Sequence, residues 1–266
     1  MLYNWECPIP SPEGTKEFYN ETDYRFFNAL KKVAHPDFPD EIPFNRLIDY
    51  QSLKEKKILE IGCGSGVNAA IFASLGIDIT AVDITEKAID LTQKRFKVFG
   101  LRGKILRVDA EKMTFENESF DYVWSWGVIH HTANIQNAIS EIYRVLKYDG
   151  RAQIMVYNRN SFRYWLLGGL YYGIIKGRIF RMSLEEVNKS FTDGYIARHL
   201  TKREARQLFS MFNMKKFMIL DQGDHFLPFG KVNRVLEKVI PEKIFSKIDV
   251  FFMRRFGWFL FIDVVK

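Results

Sequence analysis

From Lys56 onward the apolar positions switch repeatedly between two periods. "KKILEI" is a short branched apolar run of the kind buried on both faces of a parallel sheet. "GVNAAIFASLG" follows as a helix closed by Gly76. "IDITAV" is a second strand, and Thr85 is placed to cap "EKAIDLTQKRFKVF". In that helix Ala88, Ile89, Thr92, Phe96 and Phe99 share a face, and Gly100 ends it. "KILRV" and "FDYVWSW" are the third and fourth strands. "NIQNAISEIYRVLKYDG" carries Ile135, Ala138, Ile139, Ile142 and Leu146 on one stripe and leads to strand five, "RAQIMVY". A helix in "TKREARQLFSMF" buries Ala205, Leu208, Phe209 and Phe212, and "KKFMIL" and "WFLFIDVV" supply strands six and seven. This alternation predicts an α/β chain with a doubly wound, mostly parallel seven-stranded sheet and helices on both faces.

Two stretches break the rhythm, at about 158–200 and about 222–256, both rich in aromatic and basic residues. Segments inserted after strand ends build the binding mouth of such a sheet. They are expected to form a helical, aromatic cap on one domain spanning 51–266, preceded by a helical preface over 1–50 with a helix near Thr15 to Val33. The apolar "YWLLGGLYYGII" is read mainly as the cap's own core. Asp193, Arg198 and His199 are its polar candidates.

Composition narrows the class. With 47% hydrophobic residues in 266, the chain has the material for a large core. Two cysteines, Cys7 and Cys63, build neither a disulfide framework nor a Cys-rich metal site, and no metal ligands are assigned. "MLYNWECPIPSPEG" has neither a basic nor an apolar signal region, so a cytoplasmic protein is expected. No apolar run reaches the ~18 residues of a membrane span. The net charge is +7, and between Lys231 and Arg255 seven basic residues face three acids. The plain reading is a solvated helical face; the sharper one is peripheral contact with an anionic membrane at its inner face.

The candidate chemistry begins at "LEIGCGSG", residues 59–66, where three glycines meet a strand-to-helix turn. Bare backbone there admits close approach of a ligand, and a helix start offers N–H groups to an anion. A dinucleotide fingerprint would need a glycine where Val67 stands. Asp83, at the end of strand two, suits the ribose hydroxyls of either NAD or S-adenosylmethionine. Taken in order, "LEIGCGSG", "AVDIT", "VDAEKMTFENESFDYVWSWGVIHHT" and "EIYRVLKYDG" resemble the successive motifs of class I S-adenosylmethionine-dependent methyltransferases, type 11 or small-molecule group, over about Lys56 to Tyr157. The resemblance implies a Rossmann-like sheet and S-adenosyl-L-methionine as cofactor. It implies that Gly62, Gly64 and Gly66 hold the methionine part and that Glu60 organises the loop and the ligand's amino end. Asp83 would take the ribose, Ile84 would lie on the adenine, and Asp109 with Ala110 would read the adenine edge. Ser125 and Trp126 would lie beside the reactive methyl.

On the acceptor side, "SWGVIHH" lacks the Pro pair of nucleic-acid amino methyltransferases, and neither cysteine is placed as a cytosine-attacking nucleophile, so no nucleic-acid partner is expected. A small-molecule, sugar or lipid-like acceptor methylated at O or N remains. His130 and His131 follow strand four at the rim; His130 is the candidate base and His131 the structural member. The alternatives are a non-catalytic S-adenosylmethionine-binding scaffold and an NAD(P)-dependent oxidoreductase.

Overall fold

A computed structural model describes residues 11–33, 44, 45, 47–192, 196–220 and 227–266. Each predicted strand run pairs in one sheet: β1 (Lys57–Ile61), β2 (Asp78–Asp83), β3 (Lys104–Arg107), β4 (Phe120–Trp126), β5 (Leu146–Asn158), β7 (Asn213–Leu220) and β8 (Phe259–Val265). Their order is β3-β2-β1-β4-β5-β8-β7. The first five pair in parallel, and β8 inserts antiparallel to both its neighbours. An eighth strand, absent from the sequence reading, is the two-residue β6 (His199–Leu200). It forms because β5 runs on past the end of β4, where Trp126 pairs Met155, and leaves an edge that the returning chain takes up at Tyr157 and Asn158, with the Arg159 N–H donating to the Leu200 carbonyl.

Helices α2 (Val67–Ser74) and α3 (Glu86–Val98) cover one face of the sheet; α4 (Ile135–Val145) and α6 (Lys202–Leu208) cover the other. On the first face Phe72, Phe96, Tyr122, Trp124 and Phe261 pack with Phe44, Leu47 and Tyr50 of the N-terminal segment. On the second, Ile139, Ile142, Val123, Ile154, Phe209 and Leu260 interlock. Strand periodicity sends alternate residues of one strand into different layers, which is why Trp124 and Val123 lie in separate clusters. The helix punctuation follows the sequence: Thr85 Oγ1 accepts the Ala88 N–H, and Gly76 and Gly100 take positive φ just past helix ends.

Helix α1 (Lys16–Val33) lies on α3, where the Tyr19 hydroxyl donates to the Leu91 carbonyl at 2.6 Å. Arg95 makes the decisive link. Its side chain is 1% exposed, and both terminal nitrogens donate to the Asp23 carboxylate at 2.8 Å. Its Nε donates to the Ser65 carbonyl at 2.7 Å, and the guanidinium lies over the Tyr19 ring. The preface is thereby tied to the glycine turn.

The two inserted stretches are helical. Residues Arg163–Ile175 form a π-helix, and α5 (Leu184–Lys189) packs beside it. A Cβ on Gly168 would stand 2.2 Å from Asn188 Oδ1, so glycine sets the approach. The expectation that "YWLLGGLYYGII" is mainly its own core is corrected here. The buried positions are Tyr164 and three glycines, while Trp165, Leu170, Ile174 and Ile175 are exposed. The six-residue α5 is too short to cover more than the glycine stripe. The second stretch holds α7 (Gly230–Val239) and α8 (Glu242–Phe256). Among the described residues no helix is long and apolar enough to cross a membrane.

The Arg95–Asp23 pair predicts an asymmetry. Removing Asp23 leaves a cation with 1% exposure unpaired, whereas removing Arg95 leaves a carboxylate at 28% exposure that water still reaches. Asp23→Ala should cost about 3–5 kcal/mol in urea unfolding, and Arg95→Leu clearly less. The reverse order would show that the aromatic stacking, not the ion pair, carries the link.

Candidate active site

The turn after β1 stands where the strand order reverses between β2 and β4, the crevice in which doubly wound sheets bind ligands. Gly62, Gly64 and Gly66 all have positive φ, at 78°, 56° and 78°. Their surroundings differ. A Cβ on Gly62 would lie 2.1 Å from Val128 Cγ2, and one on Gly66 would lie 2.9 Å from Thr92 Cγ2. A Cβ on Gly64 meets nothing within 4 Å. Two glycines therefore answer to neighbouring side chains and one to open space.

The turn is held from outside. Asp83 Oδ2 accepts the Gly64 N–H at 3.1 Å, while its Oδ1 accepts both the backbone N–H and the hydroxyl of Thr85 at 2.9 Å. Thr92 Oγ1 donates to the Gly64 carbonyl at 3.1 Å, and Arg95 holds the Ser65 carbonyl. Thr92 and Arg95 escaped the sequence reading as site residues. The available signal was Thr92 on the apolar stripe of α3, where a polar side chain requires a partner; Arg95 lies off that stripe and gave no signal.

Glu60, two residues before the first glycine, is 1% exposed. Its Oε2 is buried and has no hydrogen-bond partner. Burial pushes its carboxyl up to about 8, against smaller opposing help from the Asn68 side chain and the Ala69 backbone N–H. A buried carboxyl with an unused oxygen is a place for a cation or a donor.

At the ends of β2 and β3 lie Ile84, exposed at 58%, and the turn of Val108 to Ala110. The Val108 N–H donates to the Asp83 carbonyl at 3.0 Å, and Asp109 Oδ1 accepts the Glu111 N–H at 2.9 Å. Asp109 is exposed and Ala110 buried. Glu60, the glycine turn, Asp83, Ile84, Asp109 and Ala110 thus follow one edge of the sheet. Trp126 ends β4 on the aromatic layer instead, stacked on Trp124 at 5.6 Å and beside Phe44 at 4.7 Å, with its buried Nε1 lacking a partner. Ser125 is fully buried on the other side of the pleat, its hydroxyl likewise without a partner.

Past β4, a 3₁₀ turn carries His130 and His131. His131 Nδ1 hydrogen-bonds the Ile196 carbonyl. His130 is fully buried, with both ring nitrogens lacking partners, and burial followed by the neighbouring His131, His199 and Arg198 holds it well below the ordinary imidazole range. Its ring lies 4.2 Å from Tyr157, which also stacks on His199 at 5.4 Å. His199 is pushed down to about 3, mainly by burial. Both imidazoles are therefore neutral at physiological pH, and each presents one donor and one acceptor. Arg198 donates to the Thr132 and Ala133 carbonyls and its backbone N–H donates to the His130 carbonyl, so it secures this turn. Asp193 lies outside the described residues.

Comparison with known proteins agrees with this arrangement. Residues 59–154 match the family described as "Methyltransferase domain". The chain is 32% identical over 117 residues to a ubiquinone biosynthesis O-methyltransferase of Rickettsia prowazekii, covering 44% of this chain and 46% of that protein. It is 34% identical over 109 residues to a phthiotriol/phenolphthiotriol dimycocerosates methyltransferase of Mycobacterium leprae, covering 40% of each. The chain spans about half the length of the curated relatives it matches. Among solved structures, an S-adenosylmethionine-dependent methyltransferase of Methanosarcina mazei superposes with a TM-score of 0.57 at 20% identity, over 86% of this chain and 99% of that one. The family match and the fold agree: residues 59–154 are a methyltransferase domain, set in a sheet that shares its fold with S-adenosylmethionine-dependent methyltransferase structures.

Proposed function

We propose that this protein transfers a methyl group from S-adenosylmethionine to an oxygen or nitrogen of a small, lipid-like acceptor. The observation that carries the reading is the unpartnered Glu60 oxygen beneath a glycine turn whose central residue faces open space. Those features fit the cofactor: an ammonium suits the buried carboxyl, and Gly64 leaves room for the methionine part. The exposed Ile84 offers an apolar face to a purine ring. Asp83 retains lone pairs for ribose hydroxyls beyond those used by Gly64 and Thr85, and Asp109 with Ala110 stands at the adenine edge. When bound, S-adenosylmethionine supplies an electrophilic methyl on a sulfonium.

The remaining work of the chain is alignment and exclusion of water, which can lower such a barrier by roughly 7–11 kcal/mol. With that cofactor bound, the acceptor oxygen or nitrogen would take the methyl in place of the sulfur and would give up a proton. His130, neutral and unpartnered, is assigned to receive that proton, with His131 holding the turn through Ile196. A lipid-like acceptor is supported by the relatives' names, one of ubiquinone biosynthesis and the other of phthiotriol/phenolphthiotriol dimycocerosates. It is also supported by the exposed apolar residues of the π-helix and by the basic α7–α8 stretch, which suit peripheral contact with an anionic membrane.

The first test is calorimetric. Glu60 in the free protein holds its proton up to about pH 8, so its contribution favours folding below about pH 4.5 and is lost as the pH rises through 8. Pairing with an ammonium lowers that value, so S-adenosylmethionine binding at pH 7 should release close to one proton from this site. The release is measured from the dependence of the binding enthalpy on buffer ionisation. Glu60→Gln should abolish it and weaken binding, and NAD should not bind. Tight NAD binding, or a release unaltered in Glu60→Gln, overturns the reading.

The glycines separate fold from ligand. Gly62→Ala drives a methyl into Val128 at a positive φ and should destabilise by more than about 2 kcal/mol. Gly64→Ala carries only backbone strain of about 1–2 kcal/mol and should fold, yet bind S-adenosylmethionine more weakly. Thermal unfolding and titration read the two effects apart.

His130→Ala should lower turnover by about 10²-fold or more with cofactor affinity kept. The wild-type acid limb should lie below the ordinary imidazole value of 6.5, because His130 is held low, and should vanish in the variant. An unchanged limb removes His130 from proton transfer.

A further inference from the structure

A cavity of about 860 Å³ opens at the carboxyl edge of the sheet, beyond the end of β5 and away from the glycine turn. Its floor holds Asn158 and Ser161, and Ile219 of β7 closes one side. Five cationic side chains line it: Lys202, Arg203 and Arg206 from α6, and Arg254 and Arg255 from the end of α8. No acidic side chain lines it among the described residues. Lys202, Arg203, Arg206 and Arg255 have no carboxylate partner among the described residues. The nearby Glu204 is already engaged by Thr201 and Arg159. The cations crowd one another: burial, then the charges of Arg206 and Arg255, holds Lys202 below its ordinary value.

The opposite wall is apolar. Phe162, Trp165 and Leu166 line it from the start of the π-helix, and Phe251 and Phe256 from α8. Phe162 and Phe256 stack at 4.6 Å. Trp165 and Phe251 remain 51% and 60% exposed, although each is large enough to dominate a small core. Arg206 and Arg255 lie over Phe217 and Phe256, a placement that leaves guanidinium edges for a ligand. A concentration of uncompensated positive charge costs free energy, and exposed aromatics beside it add to that cost. One kind of ligand relieves both: an anion with several acceptor oxygens joined to a hydrocarbon chain. Arg forks match phosphate oxygens, and the aromatic wall matches the chain.

We propose that this cavity binds the phosphate-bearing head and the first part of the chain of a single anionic lipid. Lys202, Arg203, Arg206 and Arg255, from two elements, suit a phosphate mono- or diester, and the cavity is of the size that takes a headgroup with a short length of chain. The site gives the lipid-like acceptor of the proposed function a place to be held at the sheet edge. It rests on that reading only for the identity of the lipid as acceptor; the binding itself is independent of methyl transfer.

The test uses the whole protein without cofactor. Trp165 sits in the wall, so its fluorescence reports occupancy. Dihexanoyl phosphatidic acid below its micelle concentration should bind saturably, dihexanoyl phosphatidylcholine much more weakly, and inorganic phosphate more weakly still. Arg206→Gln with Arg255→Gln should lose about tenfold or more in affinity for the phosphatidic acid. Phe251→Ser, at an exposed position, should weaken the lipid while sparing phosphate. Arg102→Gln with Lys104→Gln, the same charge change at the β3 edge, should alter neither. S-adenosylmethionine affinity, titrated in each variant, should stay unchanged, which separates failure of this site from failure of the cofactor reading. The proposal is overturned if phosphatidic acid does not bind at low salt, or if both charge variants lose affinity equally. Phosphate binding as tightly as the lipid with Phe251→Ser silent also overturns it, since the cavity would then be an anion site without a lipid.

Discussion

A left-handed turn that three separate elements hold in place is the constraint on which the site depends. Val128 and Thr92 forbid side chains at Gly62 and Gly66, Asp83 fixes the Gly64 amide, and Arg95 fixes the Ser65 carbonyl. Positive φ at three nearby residues is costly for any residue but glycine. The backbone accepts it because β2, α3 and the segment after β4 all converge on this turn. The Asp83 carboxylate couples the turn after β1 to the cap of α3. Arg95 extends that coupling to α1 through Asp23, so that the N-terminal helix and the candidate cofactor loop are mechanically one unit.

Electrostatics divides the site into two regions of different character. Under the turn, burial above all, with the nearby Asp83 charge adding to it, raises Glu60, whose buried Oε2 has no partner. At the rim, burial acts in the opposite sense on imidazoles and keeps His130 and His199 neutral. The same physical cause, removal from water, thus favours the neutral form of each group, the protonated carboxyl of Glu60 and the unprotonated imidazoles.

The cap has an inverted character compared with an ordinary core segment. Its π-helix buries glycines against α5 and leaves Trp165, Leu170, Ile174 and Ile175 outward. Lys202, Arg203, Arg206 and Arg255, without carboxylate partners among the described residues, gather at α6 and α8 next to an aromatic wall. Apolar exposure beside unbalanced positive charge has one economical resolution, an amphiphile of opposite charge.

Much of the fold was legible in sequence because its signals are local. The branched apolar runs at 57–61 and 78–83, Thr85 as a cap, and glycines at helix ends each depend on a few neighbouring residues, and the structure repeats them. The order of motifs along the chain likewise sufficed for the methyltransferase domain over residues 59–154. What depended on distant contacts was not legible. Glycine at 62 answers to Val128, and glycine at 66 to Thr92, contacts that span tens of residues and leave no periodic trace. Arg95 reads as a surface cation until Asp23 and Ser65 are brought around it. The apolar run at 164–175 has the composition of a core, and only the shortness of α5 decides that its large side chains face outward. Local chemistry along the chain determined the strands, the caps and the glycine turn. The tertiary structure alone decided which buried polar groups lack partners and where like charges meet, because both are properties of elements brought together from far apart.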